Sequence, residues 1–207
     1  MARLTALASM ALMPTQEQRF RTLVVTNPVI AALIDRLPAL AIPDCWITAG
    51  ALMQTVWNAL EGREPTDGIR DYDVFYFDAD ASWEAEDRVI KQAAAAFVDL
   101  DAEIELRNQA RVHLWFDQRN GTSGYPELTS ARHGIDVFLE TPTMFGIHPA
   151  GGGAFDVYAP RGYDDLFGFV FRPNHPAAVG PVSRYAAKSA ERQAAYPWLT
   201  VIPWGAA

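Results

Sequence analysis

The chain has 207 residues, half of them hydrophobic, which is enough to bury a sizeable core within one domain. Its formal net charge of −8 argues against an extended nucleic-acid surface, since a broad grip on duplex DNA or RNA requires clustered Lys and Arg. The single cysteine, Cys45, excludes a disulfide framework within the chain and has no Cys or His neighbours at zinc-binding spacing. A small molecule is therefore the expected partner.

The N-terminal residues 1–13 place one arginine before about ten mostly apolar residues, as a weak signal peptide does. The match is poor, because there is one positive charge and no small-x-small cleavage site precedes Pro14. No stretch reaches the ~18 consecutive apolar residues that a membrane span requires. These patterns favour a cytoplasmic protein with no membrane partner.

Two helices are predicted before the first strand. A helical pattern starts at Thr15, and Asn27-Pro28 then offers an N-cap followed by a proline in the first helical turn. The second helix carries an apolar stripe that is typical of packing onto a core. We expect residues 1–42 to form helices that pack on the core, and residues 43–207 to form the main domain with a helical tail, so that the whole chain is a single domain.

A strand, a turn and a helix follow. Cys45–Ala49 is a short apolar run typical of a buried strand, and it leads through Gly50 into a helix that ends near Leu60. A glycine at this junction lets the backbone approach a ligand, and the N–H groups at the start of the helix are free to bind a phosphate. Within the helix, Trp57 fits a core position and Asn58 fits a turn-bonding position.

An Asp-x-Asp pair opens the next predicted strand, which runs from Asp71 to about Phe77. Side chains two positions apart on a strand point the same way, so Asp71 and Asp73 should lie side by side. The apolar run that follows, VFYF, is typical of a strand buried on both faces. Two like charges held this close need a cation, and a hard divalent ion such as Mg²⁺ or Mn²⁺ takes carboxylate and phosphate oxygens. The pair therefore indicates phosphoryl or nucleotidyl transfer, the alternative being a solvated strand end.

A second acidic strand is predicted at Ala102–Arg107, after a helix that Ser82 caps. Strict alternation places Glu103, Glu105 and Arg107 on one face of this strand. A two-metal transfer site uses a further carboxylate to hold or deprotonate the attacking hydroxyl. Alternation alone fits a half-exposed strand equally well, and that interpretation is preferred for Glu103.

The middle of the chain is predicted to contain a short helix at Asn108–Phe116, a loop at Gln118–Pro126 that gives no functional signal, and another helix at Ser130–Phe138. Two strands are then predicted around Gly151–Gly153 as a hairpin. This glycine run has no following lysine or helix, so a Walker-type phosphate site is excluded.

The C-terminal tail is predicted to form a polar helix at Val182–Ala195. It carries Arg184, Lys188 and Arg192 at i, i+4 and i+8, which places the three cations along one face. Nothing in the sequence says what this face contacts.

Four ordered blocks give a more specific signal than any single motif. They resemble the signature blocks of a bacterial nucleotidyltransferase-like family of unassigned substrate, within the DNA polymerase beta-like nucleotidyltransferase superfamily. The blocks are GALMQTVWNALEG (50–62), DYDVFYFD (71–78), ELRNQARVHLWF (105–116) and YAPRGYDDLFGFVFRPN (158–174).

The resemblance implies an α+β fold, with a nucleotidyltransferase-like core of a mixed sheet and helices packed against it. It implies that Asp71 and Asp73 hold the metal ion and act in catalysis, and that Glu105 is the third carboxylate. It also assigns nucleotide binding to the following residues: Gly50, Ala51 and Arg111. The roles of four further candidates are left open: Arg63, Arg70, His113 and Arg172.

The leading hypothesis is a metal-dependent nucleotidyltransferase that moves a nucleoside monophosphate from a nucleoside triphosphate (NTP) to an unidentified acceptor, with Mg²⁺ or Mn²⁺ as cofactor. The alternative is a catalytically inactive nucleotide-binding or regulatory module of the same fold. That alternative is motivated by Ala51, which stands where the superfamily usually has a serine. Under the leading hypothesis, Asp71 and Asp73 should share one sheet face at a cleft, with Glu105 on the adjacent strand.

Overall fold

The computed structural model describes residues 13–206, so the candidate leader falls almost entirely outside the described residues. The helices within this range are α1 (Gln16–Val24), α2 (Pro28–Arg36), α3 (Gly50–Leu60), α4 (Trp83–Ala96), α5 (Phe116–Asn120), α6 (Ala131–Asp136), α7 (Asp164–Phe167) and α8 (Val182–Ala195). The strands are β1 (Trp46–Thr48), β2 (Asp71–Tyr76), β3 (Glu103–Asn108), β4 (Gly146–Gly151), β5 (Ala154–Tyr158), β6 (Val170–Phe171) and β7 (Thr200–Val201). Short 3-10 segments lie at Leu37–Leu40, Gln109–Leu114 and Thr141–Thr143.

The larger sheet has five strands in the order β3-β2-β1-β4-β5. Strands β2 and β3 run parallel, with α4 as their crossover, and the other neighbouring pairs are antiparallel. Strands β6 and β7 form a separate parallel pair. This mixed sheet with packed helices confirms the predicted α+β class.

The N-terminal helices are joined to the sheet by one buried amide. Asn27 caps α2 by accepting from the backbone N–H groups of its first turn, as its position before Pro28 predicts. The same side chain donates to Thr55 Oγ1 at 2.9 Å and to the Tyr72 hydroxyl at 3.1 Å. Because Thr55 lies on α3 and Tyr72 on β2, this single residue links three elements.

The main core lies on one face of the sheet, under α1, α2 and α3. Strand β2 contributes Tyr72, Val74 and Tyr76 to it, all nearly inaccessible. Trp57 of α3 is fully buried, and its indole donates to the Leu166 carbonyl at 2.7 Å. Its predicted core position is confirmed, and truncating such a residue to alanine costs about 3–5 kcal/mol.

The opposite face of the sheet is only partly covered. Helix α6 packs there, where Ile135 joins a second, smaller cluster with Trp46 and the half-buried rings of Phe75 and Phe77. The prediction that the VFYF run is buried on both faces was therefore wrong. The side chains of β2 alternate between the core and this second face, and the part of the face beyond α6 is an open cleft.

No single helix among residues 13–206 is long and apolar enough to cross a membrane, and the segments Gln16–Val24 and Pro28–Leu40 pass that test only together, as a pair bent by 93°.

Candidate active-site cleft

The cleft on the second sheet face has a volume of about 390 Å³, within the usual range for small-molecule sites. Its floor is formed by β2 and β3, and one wall by the start of α3 together with α8. The opposite wall is formed by the segment after β3, and α6 closes one end. Elements from both halves of the chain therefore meet at one concave surface.

The floor carries the three carboxylates that the sequence singled out. Asp71, Asp73 and Glu105 all line the cleft, and the parallel register of β2 and β3 sets Asp73 directly beside Glu105. Glu103 lies beside Asp71 but does not line the cleft. The expectation that the two aspartates share one sheet face with Glu105 on the adjacent strand is confirmed.

Asp73 lies at the centre of this negative charge. Burial, and secondarily the charges of Asp71 and Glu105, together raise the pKa of its carboxyl to about 7 against the opposing effect of Lys188 and Arg107. In the metal-free protein a large share of Asp73 therefore holds a proton near neutral pH. A bound cation would release that proton and take its place.

Glu105 has a positively charged neighbour on its own strand. Arg107 donates to its carboxylate at 3.2 Å, and both side chains are about one-third exposed. An exposed pair of this kind contributes at most about 1 kcal/mol, so it constrains Glu105 only weakly. Glu105 is free to turn towards a ligand in the cleft.

The strand-to-helix turn places a residue other than glycine at positive φ. That residue is Ala49, with φ 65° and ψ −146°. This conformation costs an alanine about 1–3 kcal/mol, and such strain is concentrated at functional sites. Gly50 lines the cleft, and the first N–H groups of α3 receive no side-chain cap. They are therefore available to an anion.

Ala51 does not reach the cleft with its side chain. It is 1% exposed and belongs to the main core, so its methyl group packs against hydrophobic residues. Any contribution that Ala51 makes to nucleotide binding must come from its backbone.

Helix α8 supplies the charge that opposes the carboxylates. Its predicted stripe of Arg184, Lys188 and Arg192 lines the cleft. The helix is fixed by the buried Tyr185, whose hydroxyl donates to the carbonyls of Phe171 and Ile202 at 3.0 and 2.6 Å. The three cations thus project from a helix that is fixed to the β6–β7 region.

The cations of α8 are held by polar side chains from other elements. Lys188 donates to Glu140 Oε1 at 2.6 Å, and the Glu140 side chain is only 2% exposed. Its second oxygen, Oε2, has no hydrogen-bond partner among residues 13–206. Arg192 donates to Gln54 Oε1 at 2.8 Å, and Gln54 lies one turn after Gly50. These bonds orient two positive charges that line the cleft with the N-terminal end of α3.

Cations outnumber carboxylates along the cleft, although the protein as a whole is acidic. Six Arg or Lys side chains and three carboxylates line it within the described part of the chain. The six are Arg70, Arg107, Arg119, Arg184, Lys188 and Arg192. The cleft is therefore suited to a ligand with several negative charges.

Arg111 is not brought into the cleft. Its guanidinium lies 2.8 Å from Glu86 on α4 and donates to the Ala81 carbonyl, and it is 12% exposed. The 3-10 geometry after β3 turns this side chain towards α4, whereas sequence blocks alone give no direction. His113 also lies outside the cleft lining.

Of the remaining candidate arginines, one lines the cleft and two lie outside its lining. Arg70 lines the cleft and pairs with Glu191 at 2.9 Å. Arg172 instead pairs with Asp165 at 2.9 Å, away from the cleft lining. Arg63 pairs with Asp67 within its own loop.

The carboxylates fit a hard cation that completes its coordination with ligand and water. Residues 13–206 contain no group of three or more His, Cys, Asp or Glu side chains arranged to enclose a metal ion. Asp71 and Asp73 offer oxygen atoms only, which suits Mg²⁺ or Mn²⁺ and not zinc. Because Mg²⁺ is usually held by one or two carboxylates plus substrate phosphates, the pair fits an ion that arrives with its nucleotide.

Comparisons with known proteins agree with this geometry. The fold is similar to a solved structure whose title reads "The NMR structure of the protein reveals a CCA-adding enzyme head domain", with a TM-score of 0.72 and 24% sequence identity over 92% of this chain and 97% of that one. A search among curated proteins found no match. A family model described as Nucleotidyltransferase matches residues 35–201, which include every cleft residue named above. The chain belongs to this nucleotidyltransferase family.

Proposed function

We propose that the protein transfers a nucleoside monophosphate from an NTP to an acceptor group, with Mg²⁺ or Mn²⁺ held by Asp71 and Asp73. One observation carries the proposal: a floor of carboxylates faces a wall of anchored cations across a single cleft. Carboxylates alone attract metal ions, and cations alone attract anions. Their combination fits a metal-bound polyphosphate.

The triphosphate is assigned to the wall formed by α3 and α8. The uncapped N–H groups at Gly50 give this wall a positive helix end, Arg192 adds an oriented charge, and Lys188 adds an oriented donor whose charge Glu140 partly compensates. Because these cations are anchored before the ligand arrives, little side-chain entropy is lost when the phosphates bind.

The reaction joins an acceptor oxygen to the α-phosphorus of the NTP. That bond forms as the bond between the α-phosphorus and the bridging oxygen to the β-phosphate breaks, and pyrophosphate leaves. The proton of the acceptor hydroxyl passes to Glu105, which lies beside Asp73 on the adjacent strand. Lys188 and Arg192 stabilise the charge that grows on the leaving pyrophosphate. A bound divalent ion would neutralise part of the same charge and orient the reacting groups.

The acceptor is left open. The protein's net charge of −8 makes an extended nucleic-acid surface an unfavourable feature of this chain, so a small or protein acceptor is preferred. An acceptor group has to enter beside Glu105, on the side of the cleft that follows β3.

Pyrophosphate release and calorimetry, measured together, test the proposal. The wild type should bind NTP in a Mg²⁺-dependent manner and release pyrophosphate when a suitable acceptor, or water, is present. Glu105→Gln should keep binding and lose release. Glu103→Gln is the matched control, because it removes the same charge two residues away on the same strand without touching the cleft. If pyrophosphate release falls equally in Glu105→Gln and Glu103→Gln, Glu105 does not accept the proton.

A nucleotide-binding module without turnover is the second candidate. Ala51 favours it, because its methyl group packs in the main core and supplies no hydroxyl to hold a phosphate. Binding of Mg²⁺ and NTP without pyrophosphate release, in the wild type and in Arg107→Gln, would select this function. Release by Arg107→Gln but not by the wild type would instead identify the ion pair between Glu105 and Arg107 as an inhibitory contact.

A further inference from the structure

The wall opposite α8 is aromatic and lies outside the cores of the protein. Trp115, Phe116 and Tyr125 line the cleft, with Phe116 and Tyr125 ring centroids 4.1 Å apart and Trp115 and Phe116 centroids 6.2 Å apart. All three rings are half-buried. None of them belongs to either hydrophobic cluster of the described residues, so they pack on one another and not on the core.

This wall is held in place by a single carboxylate. Asp117 accepts from Thr122 Oγ1 at 2.7 Å and from the Tyr125 backbone N–H at 3.0 Å. These bonds lower the pKa of the Asp117 carboxyl. The loop at 118–126, to which the sequence assigned no role, is thereby folded back onto α5, and it carries Tyr125 against Phe116. The rings therefore form a fixed surface before any ligand binds.

Polar groups flank the same rings. The Arg119 guanidinium lies 5.7 Å from the centre of the Trp115 ring, and Asn120 accepts from Arg184 across the cleft at 2.9 Å. An aliphatic ligand would pack on the rings but could not use the remaining hydrogen-bonding capacity of the Arg119 guanidinium and the Asn120 amide. A flat heteroaromatic ring satisfies both, because its faces stack on aromatic side chains and its edges accept and donate hydrogen bonds.

We propose that Trp115, Phe116 and Tyr125 form a stacking subsite for a nucleobase, carried either by the donor NTP or by a nucleoside acceptor. The proposal rests on the proposed function, since it places the base within the same cleft as the triphosphate. The three rings, the three carboxylates and the cations of α8 line the same cleft, and Arg184 of α8 bonds to Asn120 beside the rings, so one ligand can contact all three groups.

Trp115→Leu tests the subsite, because it removes the aromatic face and keeps much of the apolar volume. Trp115→Phe retains a ring. Leu114→Ala is the matched control, since Leu114 is the adjacent residue, is 58% exposed and does not line the cleft. Tyr125→Leu and Tyr125→Phe repeat the comparison at a second position if Trp115→Leu does not fold. Calorimetry is performed with each of three probes: Mg·NTP, Mg·tripolyphosphate and the four ribonucleosides.

If the donor's base occupies the subsite, wild type should bind Mg·NTP more tightly than Mg·tripolyphosphate by about 5- to 150-fold, the effect of one base–aromatic stack. Trp115→Leu should lose this difference and keep its affinity for tripolyphosphate, while Trp115→Phe and Leu114→Ala retain both. If the base of an acceptor occupies the subsite, Mg·NTP and Mg·tripolyphosphate should bind with equal affinity. A nucleoside should then bind to the tripolyphosphate-loaded wild type, Trp115→Phe and Leu114→Ala proteins, but not to Trp115→Leu.

The subsite is overturned if NTP has no advantage over tripolyphosphate and no nucleoside binds, or if Trp115→Leu loses no more affinity than Leu114→Ala. Failure of the proposed function has a different signature. In that case Mg·NTP either does not bind or binds without release of pyrophosphate, while the comparison of Trp115→Leu with Leu114→Ala in nucleoside or NTP binding still reports whether the rings stack a base.

Discussion

The two charged surfaces of the cleft are built in different ways. Asp73 and Glu105 reach it from neighbouring central strands, where the backbone ladder of the sheet sets their separation. Lys188 and Arg192 reach it from a helix near the end of the chain, where single side-chain hydrogen bonds to Glu140 and Gln54 set their positions. The floor should therefore keep its shape when one of its carboxylates is removed. Removal of a cation from the wall should instead lower both the affinity for nucleotide and the stability of the fold.

The largest effect is expected from Asp73→Asn. The change is nearly isosteric, so the fold should be retained, but it removes a full ligand charge from the proposed metal ion. Nucleotidyl transfer should fall by on the order of 1,000-fold, as when one electrostatic group is removed from an active site. The melting shift produced by Mg²⁺ and NTP should disappear as well. An unchanged shift in this variant would leave Asp73 with a structural role only.

On the wall, Lys188→Met is expected to cost about 3 kcal/mol, because it leaves the buried Glu140 carboxylate without its cation. The double variant Lys188→Met/Glu140→Gln should regain most of that stability, since the remaining amide is neutral. Its affinity for NTP should stay at least about tenfold below that of wild type, because the phosphate contact is still missing. Urea unfolding measures the stability of each variant, and calorimetric titration measures its affinity for NTP. Recovery of both stability and affinity in the double variant would contradict a phosphate role for Lys188.

The metal-free floor should also show a pH signature. The pKa of Asp73 is raised from 3.8 to about 7 in the folded protein, so the folded state binds this proton more tightly than the unfolded state does. Its contribution to stability is present in full below pH 3.8 and is lost as the pH rises through 7. Asp73→Asn lacks this titration. It should lie within about 1 kcal/mol of wild type at pH 4 and be more stable by about 4 kcal/mol at pH 8.

The comparison at pH 4 is the control for that measurement. Carboxylates far from the cleft are in the same surroundings in wild type and Asp73→Asn, so the difference between the two unfolding free energies isolates the effect of the acidic floor. A difference that does not change with pH would show that Asp73 titrates normally.

Within the wall, the two arginines should differ. Arg192 is 16% exposed and is bonded to Gln54, whereas Arg184 is exposed and bonded to Asn120. Arg192→Gln should weaken NTP binding by about tenfold and Arg184→Gln by about threefold, because a less hydrated charge interacts more strongly with phosphate. Raising the salt concentration should reduce the contribution of Arg184 to NTP affinity more than that of Arg192. Equal losses of affinity in the two variants at all salt concentrations would show that both arginines act as surface charges.

The smallest effect on stability is expected from substitutions in the turn between β1 and α3. Ala49→Gly relieves the strain of its positive φ but adds conformational freedom to the unfolded chain, so the variant should be more stable by less than about 1 kcal/mol. Gly50→Ala is the paired test. Its φ is not left-handed, and the new Cβ would lie 3.4 Å from Gln54 and 3.8 Å from Arg192, so stability should hold while polyphosphate affinity falls.

The floor was predictable because its signals are local. Two-residue periodicity placed Asp71 and Asp73 on one face, and alternation did the same for Glu105, so only the pairing of the two strands had to be supplied by the fold. The capping of α2 by Asn27 before Pro28 was equally local. Such patterns depend on backbone geometry within a few residues, and the structure confirms them.

The wall was not predictable, because its meaning lies in contacts between distant residues. The stripe of three cations on α8 was visible in the sequence, yet its partners Glu140 and Gln54 lie 48 and 138 residues away. The same limit applies to Arg111, whose side chain turns to Glu86 on α4, and to Ala49, whose positive φ has no signal in the sequence. Local sequence propensity predicts which helix or strand forms, but it does not predict which surface of the protein that helix or strand contacts.

The separation of 138 residues between Gln54 and Arg192 sets an order of assembly for the growing polypeptide. Synthesis proceeds from the N-terminus, and contacts between near neighbours in sequence form before distant ones. All five strands of the main sheet are complete at Tyr158, before any part of α8 has been made. The acidic floor therefore exists before its counter-charges arrive. Under the proposed function, a chain that stops short of Val182 lacks Arg184, Lys188 and Arg192, so the triphosphate can be bound only after α8 has been made.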